Sequence, residues 1–183
     1  MIKKILVSQP APTTDKSPYH DIAQNFGVEF TFQPFVKVEG LEAREFRSQK
    51  VNILDHTAIV FNSRNAIEHF FHLCKELRVT LPEDMKYFGI SEKVILYIQK
   101  FVQYRKRKVF FGTSGHWPEL LTVMAKHKTE KYLFPLSEGT SLEIAGQLDQ
   151  KKIKHTECTM FRTVQAKLDE DTFKNYDMIL IFT

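Results

Sequence analysis

The stretch from Thr57 to Leu77, TAIVFNSRNAIEHFFHLCKEL, decides the fold class. Its opening Ala58, Ile59, Val60 and Phe61 form an apolar run that reads as a buried strand. Ser63 follows as an N-cap, and Ala66, Ile67, Phe70, Phe71, Cys74 and Leu77 recur at helical spacing. A strand that passes through a capped turn into an amphipathic helix is the repeating half of an α/β sheet.

The same order returns downstream. Met85 to Phe88 reads as a strand, Gly89-Ile90-Ser91 as a turn, and Val94, Ile95, Ile98 and Phe101 as the stripe of a helix. Val109 to Phe111 leads through Gly112-Thr113-Ser114-Gly115 to a helix that starts near Pro118. Lys131 to Phe134 leads through a turn spanning 135–141 to a helix with Leu142, Ala145 and Leu148, and a strand from His155 to about Val164 closes the series. Alternation of this kind predicts a parallel sheet with right-handed crossovers and helices on both faces. Residues 37–164 are therefore expected to form one doubly wound α/β domain.

The flanks require each other. Ile2 to Val7 reads as a strand, Ser17-Pro18 opens a short helix that ends at Gly27, and Val28 to Val38 reads as one long strand interrupted by Pro34. Two strands and a helix cannot bury a core, and the remaining strand is the terminal NYDMILIFT, 175–183. Residues 1–36 are thus expected to join 165–183 in a first α/β domain. The expected architecture is two doubly wound, parallel-sheet, flavodoxin-like domains, the second inserted into the first and joined to it by two crossover strands. Met178 to Thr183 repeats the pattern of Thr57 to Asn62 and stops one residue before an equivalent of Ser63, so the first domain is expected to be incomplete, and this chain is expected to be inactive by itself even if its parent is an active enzyme.

Composition narrows the function classes. With 43% apolar and 13% aromatic residues, the chain is not disordered. No run approaches the roughly 20 apolar residues that span a bilayer, and no signal peptide is apparent. A cytoplasmic monomer without a membrane partner is expected. Cys74 and Cys158 lack a CxxC partner and read as buried free thiols. The net charge of +4 favours an anionic ligand. The basic run from Tyr104 to Lys108 reads as a solvated connection, and no nucleic-acid partner is expected.

Ligands of open α/β sheets bind beyond the carboxyl ends of the strands. Those ends carry 62–65, 89–91, 112–115 and 137–141, all turns rich in Gly, Ser or Thr that open helices. Such turns offer backbone N–H groups and a positive dipole end to an anion. The same residues are also good caps and turn formers for purely structural reasons. There is no GxGxxG, no P-loop and no GxSxG. His69 and His72 supply no complete ligand set, so no metal is expected, and no paired carboxylates specify a catalytic residue.

The order and spacing of several segments resemble the uroporphyrinogen-III synthase family, in a divergent bacterial branch. Phe61 to Ile67, FNSRNAI, stands where that family shows FTSxNAV, and YFGISEKVILYI, LFPLSEGTSLEI and HTECTMFRTV are similar to its later turns and its returning strand. The resemblance implies a lyase of haem and tetrapyrrole biosynthesis that dehydrates and cyclises the linear tetrapyrrole hydroxymethylbilane while inverting its fourth ring, without cofactor or metal. It also implies that Ser63, Asn65, Gly89, Ile90, Ser91 and Ser137 bind substrate carboxylates, with Phe161 lining the site. Three positions depart from the family. Phe161 replaces a Tyr proposed to assist loss of the hydroxyl, Glu92 replaces a Thr, and Ser141 replaces an Arg. The alternative is a non-catalytic two-domain binding protein for a polyanionic small molecule.

Overall fold

Ser63 is extended, with φ of −152°, and its Oγ accepts the Ala66 N–H at 3.1 Å, so the helix that begins at Arg64 starts where its cap dictates. A computed structural model describes residues 2–14, 16–168 and 170–182. In chain order the elements are β1 (Lys4–Val7), α1 (Pro18–Phe26), β2 (Glu29–Phe32), β3 (Val36–Gly40), α2 (Ala43–Ser48), β4 (Ala58–Phe61) and α3 (Arg64–Glu76). There follow β5 (Lys86–Gly89), α4 (Glu92–Ile95), β6 (Val109–Phe111), α5 (Trp117–Ala125), β7 (Tyr132–Ser137), α6 (Ala145–Gln150), β8 (His155–Gln165) and β9 (Met178–Leu180). Among the described residues, no helix is long and apolar enough to cross a membrane.

The chain divides into two compact units, 1–37 with 163–183, and 38–162. The smaller unit holds the parallel sheet β2-β1-β9, with Leu6 paired to Thr31 on one side and Ile179 on the other. Ser17 caps α1, and Gly27 ends it with φ of 63°, a conformation that glycine adopts without a Cβ clash. Tyr19 on α1 meets Phe30 and Phe32 edge-on at 5.1 and 5.0 Å. The strand expected over 28–38 is two strands. Gln33-Pro34-Phe35 separates β2 from β3, because Pro34 has no N–H to continue a ladder.

The larger unit holds the sheet β3-β8-β7-β4-β5-β6, in which the pairs β4–β5, β4–β7, β5–β6 and β7–β8 are all parallel. Two apolar layers cover it. On one face Ile67, Phe70 and Phe71 of α3 pack with Ile95 and Ile98, and on the other Leu120 and Met124 of α5 pack with Leu148 of α6. Counted from β4, the strand order is 3-2-1-4-5, which is the Rossmann order and not the expected flavodoxin-like 2-1-3-4-5. The helical segments after β4 and β5 lie on one face and carry the chain outward to β6. The next crossover, α5, lies on the opposite face and returns the chain to the free edge of β4.

Two local expectations change. The helix expected to run through Phe101 is the four-residue α4 followed by a 3-10 segment, Leu96–Lys100. Strand β7 runs three residues past Phe134 through Pro135. Tyr132 and Glu138 donate their N–H groups toward β8, at Lys154 O and Phe161 O, so the alternate residue Pro135 faces β4. The β4–β7 ladder has already stopped at Leu133, and the missing N–H costs no hydrogen bond.

Candidate functional site

The carboxyl ends of β4, β5 and β6 are flush, because Phe61 pairs with Gly89 and Gly89 with Phe111. The turns that leave them therefore stand side by side. Gly89 permits this crowding: a Cβ there would lie 2.4 Å from Ile95 Cβ. Ile90 spends its N–H on Phe61 O at 2.9 Å, and Ser91 Oγ accepts the Val94 N–H at 3.4 Å. Ser63 and Ser91 are both helix caps by geometry. The first-turn amides of Arg64 and Asn65 have no acceptor among the described residues, and neither do those of Glu92 and Lys93, whereas carboxylates engage amides in the turns after β6 and β7. Glu119 accepts the N–H groups of Thr113 and Ser114, both at 2.8 Å, and the Thr113 hydroxyl at 2.6 Å. Glu157 accepts the Leu142 N–H at 3.0 Å.

A seam lies beside these turns. β4 and β7 pair only at Ala58 with Tyr132 and Ile59 with Leu133, so their carboxyl-terminal halves are not laddered to each other. The direction of strand succession reverses at this seam, which is where an open α/β sheet presents a crevice. Ser63 and Asn65 flank it from β4. Ser137 flanks it from β7, in register with Phe161 on β8. Phe161 is 7% exposed, and the His69 ring of α3 stacks on it at 5.3 Å. Burial holds the His69 pKa below its usual value, with the neighbouring Glu68 opposing and His72 adding to the shift, so the ring is neutral near pH 7. Gly40 makes room for this ring, since a Cβ there would come within 2.8 Å of His69 Nδ1.

Residues 17–182 match the family model of uroporphyrinogen-III synthase HemD. The chain belongs to that family. Solved structures agree in fold. A mutant uroporphyrinogen III synthase from the extreme thermophile Thermus thermophilus aligns with a TM-score of 0.58 at 12% identity, covering 90% of this chain and 64% of that one. The wild-type enzyme from the same bacterium gives 0.52 at 12% identity over 90% and 63%. Uroporphyrinogen-III synthetase from Helicobacter pylori gives 0.55 at 12% identity over 99% and 73%. This chain thus spans about 64% of the length of the Thermus proteins. No curated protein sequence matches it.

Within this synthase-family chain, the seven residues singled out from sequence fall into two groups. Ser63, Asn65, Gly89, Ile90 and Ser91 cluster at the ends of β4 and β5, and Ser137 and Phe161 pair across β7 and β8. Sequence reasoning missed Glu119, His69 and Arg64. Glu119 was legible as an acidic residue in the first turn of a helix with Pro118 at its start, the position from which a carboxylate reaches back to free amides. Arg64 has its guanidinium 5.6 Å from the centre of the Tyr97 ring, whose hydroxyl donates to Glu68 at 3.0 Å. That contact fixes a cation beside the open amides of α3. Nothing in the local pattern signals it, because Tyr97 arrives from the following crossover. Among the described residues, no three His, Cys, Asp or Glu side chains converge as a metal site.

Proposed function

We propose that this chain carries the uroporphyrinogen-III synthase reaction of its family, in which hydroxymethylbilane loses water and closes to the macrocycle with its fourth ring inverted. The match of residues 17–182 to the family model is the observation that supports it. In this reading the acetate and propionate groups of the substrate meet backbone amides at the seam between β4 and β7. Ser63, Asn65, Gly89, Ile90, Ser91 and Ser137 shape those turns, and Phe161 forms a wall. Because the Ile90 amide is already bonded, Ile90 contributes shape, and Arg64 with Asn65 contributes the open donors. Catalysis is then largely positional: the two ends of a flexible chain are brought together and the uninverted closure is disfavoured. We also read the two units as two α/β domains, 37–164 inserted between 1–36 and 165–183, in a cytoplasmic monomer whose partner is a linear tetrapyrrole and not nucleic acid.

The test is incubation of the full chain with freshly made hydroxymethylbilane, followed by separation of the product isomers. Uroporphyrinogen III in excess of the uncatalysed background is the expected product. Uroporphyrinogen I alone, formed at the enzyme-free rate, refutes catalysis by this chain. Saturable binding of the substrate in that case would identify it as a tetrapyrrole-binding protein without turnover.

A further inference from the structure

The opposite edge of the larger sheet holds a cavity of about 360 Å³, within the size range of small-molecule sites. Lys50, Lys131, Lys154, His56, His155 and Asp55 are among the residues that line it. The ladder sets its floor. Tyr132 pairs with His155, so Lys131 and Lys154 precede adjacent strands, and the Lys131 carbonyl accepts the N–H groups of Thr57 and Ala58 at the start of β4. No carboxylate among the described residues forms an ion pair with any of the three lysines. The carboxylate of Asp55 is engaged by Asn52 Nδ2 at 2.9 Å.

Two histidines complete the wall. His56 Nδ1 lies 3.0 Å from Asn52 O, and His155 Nδ1 lies 3.2 Å from Ile153 O. A carbonyl can only accept, so both rings carry the proton on Nδ1 and leave Nε2 unbonded among the described residues.

A plainer role for the lysines exists, since helix carboxyl ends gather at this edge and attract cations. It covers Lys50, which follows α2 with φ of 55° in the position glycine usually takes. It does not cover Lys131, six residues beyond the end of α5, because the dipole effect fades within the last turn. Nor does it account for three ammonium groups around one concavity with no carboxylate partner among the described residues.

We propose that this cavity is an anion site, separate from the seam at the other end of the sheet. It would take a compact small molecule with two or more phosphate or carboxylate charges, about the size of a diphosphate. The three ammonium groups supply charge and hydrogen-bond donors, and the two imidazole rings complete the wall beside the anion.

The probe is inorganic pyrophosphate, titrated into the full chain and followed by the ring signals of His56 and His155 in NMR and by calorimetry. Saturable binding that shifts both histidines is expected. The double variant Lys131→Ala/Lys154→Ala removes exposed side chains only, and should weaken binding roughly tenfold or more while leaving the circular dichroism unchanged. Lys93→Ala, at the other edge of the sheet, should leave affinity unchanged. Absence of saturation, histidine signals that do not move, or an equal loss in Lys93→Ala each overturns the proposal, the last by showing that only net charge attracts the anion.

Discussion

At the scale of single residues, backbone space and hydrogen bonds decide most of what the candidate site can do. Gly89 is required for packing rather than for turn flexibility, because the place of its missing Cβ is taken by Ile95. Gly89→Ala should destabilise the chain by about 1–3 kcal/mol, the usual cost of overpacking, measured by urea unfolding. An unchanged midpoint would show that α4 can move away. Glu119 makes a second prediction. Its three hydrogen bonds from Thr113 and Ser114 lower its pKa to about 2 from the ordinary value of 4.5. The depressed folded value means that its contribution to stability is complete above about 4.5 and is lost as pH falls toward 2. Carboxyl NMR should place the Glu119 midpoint near 2, and a midpoint near 4.5 would show that the bonds are absent in solution.

At the scale of elements, caps and periodicity made the larger sheet legible. Ser63 and Ser91 both open their helices where the sequence placed them, and α3 buries Ala66, Ile67, Phe70, Phe71 and Cys74 as its spacing required. Ser63→Ala should cost about 1 kcal/mol of stability by loss of the cap, read as a lowered urea midpoint with the slope unchanged. If the turn also positions substrate, the same variant should reduce turnover at temperatures where it is fully folded. Three features were not legible. Pro135 looked like the start of a turn because Pro interrupts a ladder, and it continues β7 only because β4 has stopped pairing by then, a fact of tertiary register. The strand order 3-2-1-4-5 depends on which face each crossover takes, and amphipathic stripes alone do not carry that information. The stacking of His69 on Phe161 joins residues far apart in the chain, so no local pattern announces it.

At the scale of the whole molecule, burial is unequal between the units. In the smaller unit the buried apolar residues among those described are Ile5, Leu6 and Val7, all on the central strand β1, while Phe26 is 76% exposed. The larger unit has two apolar layers, and Ile59, Phe61, Phe70, Phe88 and Phe134 are fully enclosed. Local opening free energies follow buried contacts. Amide hydrogen exchange should therefore be faster in β1, β2 and β9 than in β4, β5 and β7. Equal protection would mean that the two units open as one cooperative block.

The engagement of Glu119 with the turn after β6 has a further consequence, for competition. A free carboxylate that approaches this turn meets a tethered rival, whose local concentration is fixed by geometry and does not fall on dilution. Raising the ligand concentration is a poor means of displacing it. Acid does not help either: the pH that protonates Glu119 lies below that at which ordinary carboxylates have already lost their charge. Of the flush turns at this end of the sheet, the one after β6 is closed to such ligands at every pH at which they are anions.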